Sequence, residues 1–200
     1  MLRHLDELRS LLSLHPHLDE QINRLVVVRE FRRGDHFDSV SELRHQSMFI
    51  IQGGARLYFV RNGREHTYSV AFDGEFLTVF QSLLENPAAA TSVEFLETSK
   101  VAFMPMDKLH ELLRTTTPDL FGSFAEVIIK TLLAYSLVLE ERLILFQTCT
   151  AAERYHWLLN RYPGINKRLN ATQMASLLGM TRETLYRIRS GKYNRQSHLQ

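Results

Sequence analysis

The stretch from Ala171 to Ser190, ATQMASLLGMTRETLYRIRS, constrains this chain more than any other. Its spacing is that of a helix-turn-helix, two short amphipathic helices meeting at a tight turn with polar side chains turned outward on the second. Met174, Ala175, Leu178, Leu185 and Ile188 fall where two crossing helices bury their contacts. Ala175 is small where the helices pack closest. Gly179 stands where the turn needs a positive φ, which only glycine adopts cheaply. Asn170 is placed to cap the first helix with Gln173 as its reciprocal partner, and Thr181 to cap the second. Caps, turn and apolar pattern agree on one geometry, and that geometry predicts DNA binding.

An ordinary helical hairpin would carry mixed charge on its outer face. Here the outward positions of the second helix are Arg182, Glu183, Tyr186, Arg187 and Arg189. Residues 153–200 hold nine Lys or Arg and two acids, which leaves fifteen basic and twenty acidic residues to the first 152 of a chain totalling 24 and 22. The near-neutral total conceals a basic tail on an acidic body, an electrostatic footprint for a polyanion.

Two hundred residues with 44% hydrophobic content can bury a large and a small domain. No apolar run approaches the about 20 residues of a membrane span, so no membrane is expected as a partner. The start, MLRHLDELRSLLSLHPHLDE, lacks the pattern of a secretory signal, and its Leu spacing predicts an amphipathic helix. The cytoplasm is the expected compartment. A single cysteine, Cys149, excludes an intramolecular disulfide and any multi-Cys metal site. A buried apolar role is expected for it, with a redox-sensing thiol as the alternative. His15 and His17 flank a proline near a helix end and read as solvated surface, so no metal is expected.

Along the chain, Leu25 to Phe31 is β-rich and stops at Arg33-Gly34-Asp35, and Met48 to Gln52 is another apolar run. Ala55–Arg61, Asn62-Gly63 and Arg64–Phe72 form the clearest hairpin, with a type I′ turn. Asp73-Gly74 marks another turn. Thr91 to Glu97 and Lys100 to Met106 read as two further strands, with a short helix over Leu77 to Glu85 before Asn86-Pro87. Strands at this spacing predict an antiparallel double-sheet barrel or jelly roll, and with the helices an α+β chain.

Leu109 to Arg114 reads as helical, and Pro118 opens a long helix to about Phe146. Phe121, Ala125, Ile128, Leu132, Tyr135, Leu139, Arg142 and Phe146 follow the four-three spacing of a coiled-coil seam. Ile129, Leu133, Leu137 and Ile144 lie off it. One face would pack on the β part and the other on a second copy, making a two-fold dimer; the alternative is one helix buried within a monomer. Glu153 to Tyr162 begins the C-terminal part, whose small core would join Trp157 and Leu158 to Leu169 and Leu177.

The segment from Gly179 to Ile188, GMTRETLYRI, resembles the recognition element of the Crp/Fnr superfamily of bacterial transcription regulators. Asn62-Gly63-Arg64-Glu65 and Phe72-Asp73-Gly74-Glu75 resemble its sensor domain. Leu159-Asn160-Arg161-Tyr162-Pro163 followed by the helix-turn-helix resembles a Bacteroidetes-type branch. The resemblance implies a cyclic-nucleotide-binding-like β-roll with N-terminal helices over 1–117, a dimerisation helix over 118–147 and a helix-turn-helix DNA-binding domain over 148–200. It implies an effector pocket around Phe72, Gly74, Phe76, Thr78, Ala89 and Thr91, and RNA polymerase as a partner if the protein activates.

Two departures stand out. Cyclic-nucleotide members carry a Gly-Glu pair and an Arg-Ser pair in a phosphate cassette. Here Thr78-Val79 stands for the first, and Pro87-Ala88-Ala89-Ala90-Thr91-Ser92 has no Arg. An anionic phosphate in a pocket needs a charged donor or a nest of amides, so tight cyclic AMP binding is not expected, and no cofactor is. Eleven residues follow Arg189, too few for the family's β-hairpin wing, which is expected to be missing.

Groove chemistry then assigns roles. Arg182 and Arg187 would each meet a guanine O6/N7 edge, and Glu183 would accept from cytosine N4 or pair with Arg187 four residues on. Thr181, Thr184, Tyr186, Arg189 and Lys192 would contact phosphates. The dimer helix, through Phe121, Ile128, Leu132, Tyr135 and Leu139, would set two recognition helices about one DNA turn apart. Two rivals stand beside this reading. One is an effector-sensing β-roll protein acting through protein partners without DNA. The other is an enzyme on a cupin-like barrel, for which no Walker loop, H-E-x-x-H or clustered His/carboxylate set is found.

Overall fold

The structure, a computed structural model, describes residues 16–38, 46–77 and 91–193. The readings made for residues 1–15, for a helix over 78–85, and for Thr78 and Ala89 lie outside these residues, as does His15; the side chains of His17 and Ile128 are also outside the description.

Helix α1 (Pro16–Leu25) leads into β1 (Val27–Phe31), β2 (His36–Asp38), β3 (Gln46–Gln52), β4 (Gly54–Arg61), β5 (Arg64–Phe72), β6 (Glu75–Leu77), β7 (Thr91–Phe95) and β8 (Ser99–Pro105). These strands make two four-stranded antiparallel sheets, ordered β1-β8-β3-β6 and β2-β7-β4-β5. The sheets face each other across a core that includes Met48, Ile50, Leu57, Leu77, Val93, Phe95 and Val101. Phe31 stacks on Phe95 with centroids 4.1 Å apart. The described side chains that make this core alternate inward from each strand.

Local chemistry explains the strand ends. Asn62 and Gly63 both take positive φ, 53° and 69°, as a type I′ hairpin turn requires. Between Leu57 and Tyr58 the β4–β5 register shifts, so that Leu57 faces Ser69 while Tyr58 faces Thr67. Tyr68 is the extra residue of this bulge and has no opposite neighbour on β4. Its carbonyl instead accepts a hydrogen bond from Arg142 Nη1 at 2.6 Å.

Helix α2 (Met106–Arg114) follows, then α3 (Pro118–Thr148), with Pro118 in the first turn where a missing N–H costs nothing. The long helix ends at Cys149, which is half-buried rather than buried, its sulfur 3.7 Å from the Thr148 hydroxyl. Ile22, Leu109, Leu113 and Phe124 form a second core joining α1, α2 and α3. The C-terminal helices are α4 (Ala151–Arg161), α5 (Ile165–Arg168), α6 (Ala171–Leu177) and α7 (Arg182–Arg189). Their core gathers Tyr155, Leu158, Ile165, Leu169, Met174, Leu177, Leu178 and Leu185, with Trp157 packed at its edge. Phe72 and Leu96 of the β-roll enter the same cluster, so the two parts share apolar contacts. Among the described residues, no helix is long and apolar enough to cross a membrane.

Candidate nucleic-acid interface

The helix-turn-helix is built by local rules. Asn170 Oδ1 accepts from the Gln173 amide at 2.9 Å while Gln173 Oε1 accepts from the Asn170 amide at 3.1 Å, a complete capping box. At the end of α6 the Gly179 amide bonds Ser176 O at 3.1 Å and the Met180 amide bonds Ala175 O at 3.0 Å, the paired bonds of a Schellman motif. Gly179 has φ 61°, and a Cβ built there would stand 2.5 Å from Phe146 Cε1, so close packing demands glycine as much as the turn does. Thr181 Oγ1 caps α7 by accepting from the Thr184 amide at 3.1 Å. Leu185 is fully buried and pins α7 to its neighbours, with Ile188 half-buried beside it.

Two signals of this kind went unread in the sequence. Thr150-x-x-Glu153 forms a second capping box at the start of α4. Gly191, at φ 72°, ends α7 in a second Schellman motif, with the Lys192 amide bonded to Arg187 O at 2.9 Å. That motif fixes the backbone at Lys192, whose side chain is exposed.

Arg182, Glu183, Tyr186 and Arg187 are exposed and line one shallow depression together with Ser190. The ion pairs at four-residue spacing among the described residues are Arg24–Glu20 and Lys130–Glu126, so Glu183 and Arg187 are not paired with each other. Three residues assigned to phosphates, Thr181, Thr184 and Arg189, are engaged within the domain. The Thr184 hydroxyl lies 2.9 Å from that of Thr181. Arg189 turns back, donating from Nε to the Tyr155 hydroxyl at 3.3 Å, with Nη2 3.2 Å from the Met174 sulfur. The 3.6-residue period put Arg189 near the outward edge, and the tyrosine on α4 draws it inward.

The domain is docked on the β-roll. The Thr67 amide of β5 donates to Ser176 Oγ of α6 at 2.9 Å. Arg168 Nη2 reaches Asp73 Oδ2 and Gly53 O, each at 2.9 Å, and its Nε reaches Glu97 Oε1 at 2.8 Å. Its guanidinium also lies 4.1 Å from the Phe72 ring centroid. Burial alone would raise the Asp73 carboxyl, but the Gly53 amide and Arg168 outweigh it and hold the group below its ordinary value. Between β-roll and α6 lies a polar cleft of about 430 Å³. Buried Arg56 sits there bonded to Glu94, Glu65 and Thr67, its guanidinium over the Tyr58 ring.

Among the described residues, Phe72, Gly74, Phe76 and Thr91 of the expected effector pocket do not converge. Phe72 packs edge-on against Tyr162 at 5.3 Å, inside the helical core. Gly74 closes a turn through its amide to Ile50 O at 2.8 Å. Thr91 is buried and accepts from the Tyr68 hydroxyl at 3.4 Å. Phe76 packs 5.1 Å from Phe49 and does line a cleft, one shared by β5, β6, α3 and α4. The reason is the β5–β6 turn, which aims Phe72 away from the roll and Phe76 towards α3.

The expected seam on α3 also divides. Phe121 and Leu132 are exposed at 44–45%, whereas Tyr135, Leu139, Arg142 and Phe146 line the cleft against the chain's own β-roll. The off-seam residues Ile129, Leu133, Leu137 and Ile144 are more exposed, at 52–65%. The helix is apolar on several faces, so spacing alone did not say which face the β-roll takes.

Solved structures share this architecture. The c-di-GMP-responsive global regulator CLP of Xanthomonas campestris superposes with a TM-score of 0.67 at 14% identity, over 86% of this chain and 89% of that one. The fold is that of the Crp/Fnr regulators. A CooA mutant from Carboxydothermus hydrogenoformans matches with a TM-score of 0.62 and 14% identity, over 84% of this chain and 76% of that one. A cyclic nucleotide-binding domain containing protein from Listeria monocytogenes matches with a TM-score of 0.62 and 16% identity, over 92% and 89%. No protein-family model matches the chain, and no curated protein sequence does.

Proposed function

We propose that this chain is a sequence-specific DNA-binding transcription regulator of the Crp/Fnr type, acting in the cytoplasm as a homodimer. One observation carries the reading: Arg182, Glu183 and Arg187 stand exposed on a twice-capped recognition helix. In the major groove Arg182 and Arg187 read guanine O6/N7 and Glu183 accepts from cytosine N4. Tyr186 and Lys192 hold phosphates, and the amides of Arg182 and Glu183 at the start of α7 add a partial positive charge. Thr181, Thr184 and Arg189 shape the helix and its seat instead.

The two copies meet along α3 through its outward apolar residues, Ile129, Leu132, Leu133 and Leu137 among them. The three units are 1–117 for sensing, 118–147 for dimerisation and 148–200 for DNA. An effector acts on the sensing part, and cyclic AMP is not it, because the stretch from Pro87 to Ser92 lacks the Arg that a cyclic phosphate needs. RNA polymerase is the further partner where the regulator activates.

Selection from random duplexes tests this. It should return a two-fold-related motif with half-sites about 10 base pairs apart. Equal binding to all duplexes, with no motif recovered, would overturn it.

A further inference from the structure

We propose that the cleft where the β-roll, α3 and α4 meet binds a small organic carboxylate, held at its anionic end by Arg142. The inference deepens the reading of the β-roll as the sensing half of a regulator and rests on it.

Arg142 is half-buried and carries five donors, of which one N–H is used on Tyr68 O. Among the described residues it pairs with no carboxylate. The groups that act on its charge are the phenols of Tyr162 and Tyr135. Burial pushes Tyr135 up and Tyr162 up to about 12, so both are neutral near pH 7. Burial also lowers Arg142 itself, as expected for a cation taken from water without a counter-ion. A charge so placed attracts an anion more strongly than it would in water, because the surrounding medium screens less.

The cleft selects the rest of the ligand. Three arginines, Arg142, Arg154 and Arg161, and one carboxylate, Glu75, line the cleft. Arg154 is occupied by Leu178 O and Cys149 O, and Arg161 is exposed beside Tyr162, which leaves Arg142 as the inner anchor. The walls are mostly apolar and include Phe76, Val138 and Trp157. The space is about 70 Å³. A cavity of about 150 Å³ takes a benzene ring, so this one suits a carboxylate on a short apolar chain and not a nucleotide.

The test uses the full-length protein without DNA and butanoate as the probe, with butan-1-ol, butylammonium and inorganic phosphate as controls. Calorimetry should find butanoate bound at least tenfold tighter than each control. Arg142→Met should weaken butanoate at least tenfold, and Arg142→Lys should restore part of the loss. Equal binding of butanoate and butan-1-ol, or phosphate binding as tight as butanoate, overturns the proposal on the unaltered protein, whether or not the variants fold. Unchanged affinity in Arg142→Met overturns it as well. DNA affinity is measured in parallel. Butanoate binding without DNA binding would refute the regulator reading, and DNA binding without butanoate binding would refute this site alone.

Discussion

Arg168 donates to the Asp73 carboxylate at 2.9 Å across 95 residues of sequence. The same guanidinium reaches Gly53 O and Glu97 and covers the Phe72 ring, so one side chain on a four-residue helix ties the helix-turn-helix to three places on the β-roll. How firmly the DNA-reading part is seated thus depends on a few charged groups at a half-exposed junction.

That dependence has a sign in pH. Asp73 titrates below its ordinary 3.8 in the folded chain. Such a carboxyl contributes stability above its unfolded-state value, and the contribution is lost as pH falls through the folded value. Arg168→Met should therefore cost about 1–2 kcal/mol near pH 7, a small figure because Asp73 is mostly exposed. Asp73→Asn should behave alike near pH 7. Its deficit should shrink as pH falls from 3.8 through the lower folded value, below which the carboxyl is protonated in both states. Urea midpoints across that range check this, and a deficit independent of pH would remove the ion pair from the account.

Two glycines should respond oppositely to alanine. Gly122 lies within α3 with nothing inside 4 Å of a built Cβ, so Gly122→Ala should stabilise by about 0.5–1 kcal/mol through helix propensity. Gly179 has φ 61° and presses on Phe146, so Gly179→Ala should destabilise by about 1–2 kcal/mol or more. Thermal unfolding of the two variants reads the signs directly. A neutral Gly179→Ala would mean that the turn relaxes away from Phe146.

The features legible in the sequence are those set within a few residues. Asn62-Gly63, the Asn170–Gln173 box, Gly179 and the buried Leu185 follow from turn chemistry, capping and period. What was hidden depends on distant neighbours. Phe72 reads as the end of an inward-facing strand, yet Tyr162 and Arg168 draw it into the helical core. Tyr68 looks like any strand residue until a bulge frees its carbonyl for Arg142, 74 positions away. On α3, apolar residues on several faces fit more than one stripe, and only the packed β-roll distinguishes Tyr135 from Leu133.

The last prediction separates two arginines that stand two positions apart on α7. Arg187 is exposed and forms no ion pair among the described residues, whereas Arg189 is bonded to the Tyr155 hydroxyl and rests near Met174. Arg187→Ala should leave thermal stability nearly unchanged, as expected for an exposed side chain, and cost about 1–3 kcal/mol of DNA affinity while relaxing preference at one position in each half-site. Arg189→Ala removes contacts between α7 and its support, so it should lower the unfolding temperature and weaken all duplexes alike without changing their order. A Tyr155→Phe variant should reproduce part of the Arg189 effect, because it removes the acceptor and keeps the ring. Binding of a duplex library before and after each substitution, beside the melting curve, gives both readouts. If Arg189→Ala alters base preference while Arg187→Ala does not, the helix enters the groove with Arg189, not Arg187, on the bases.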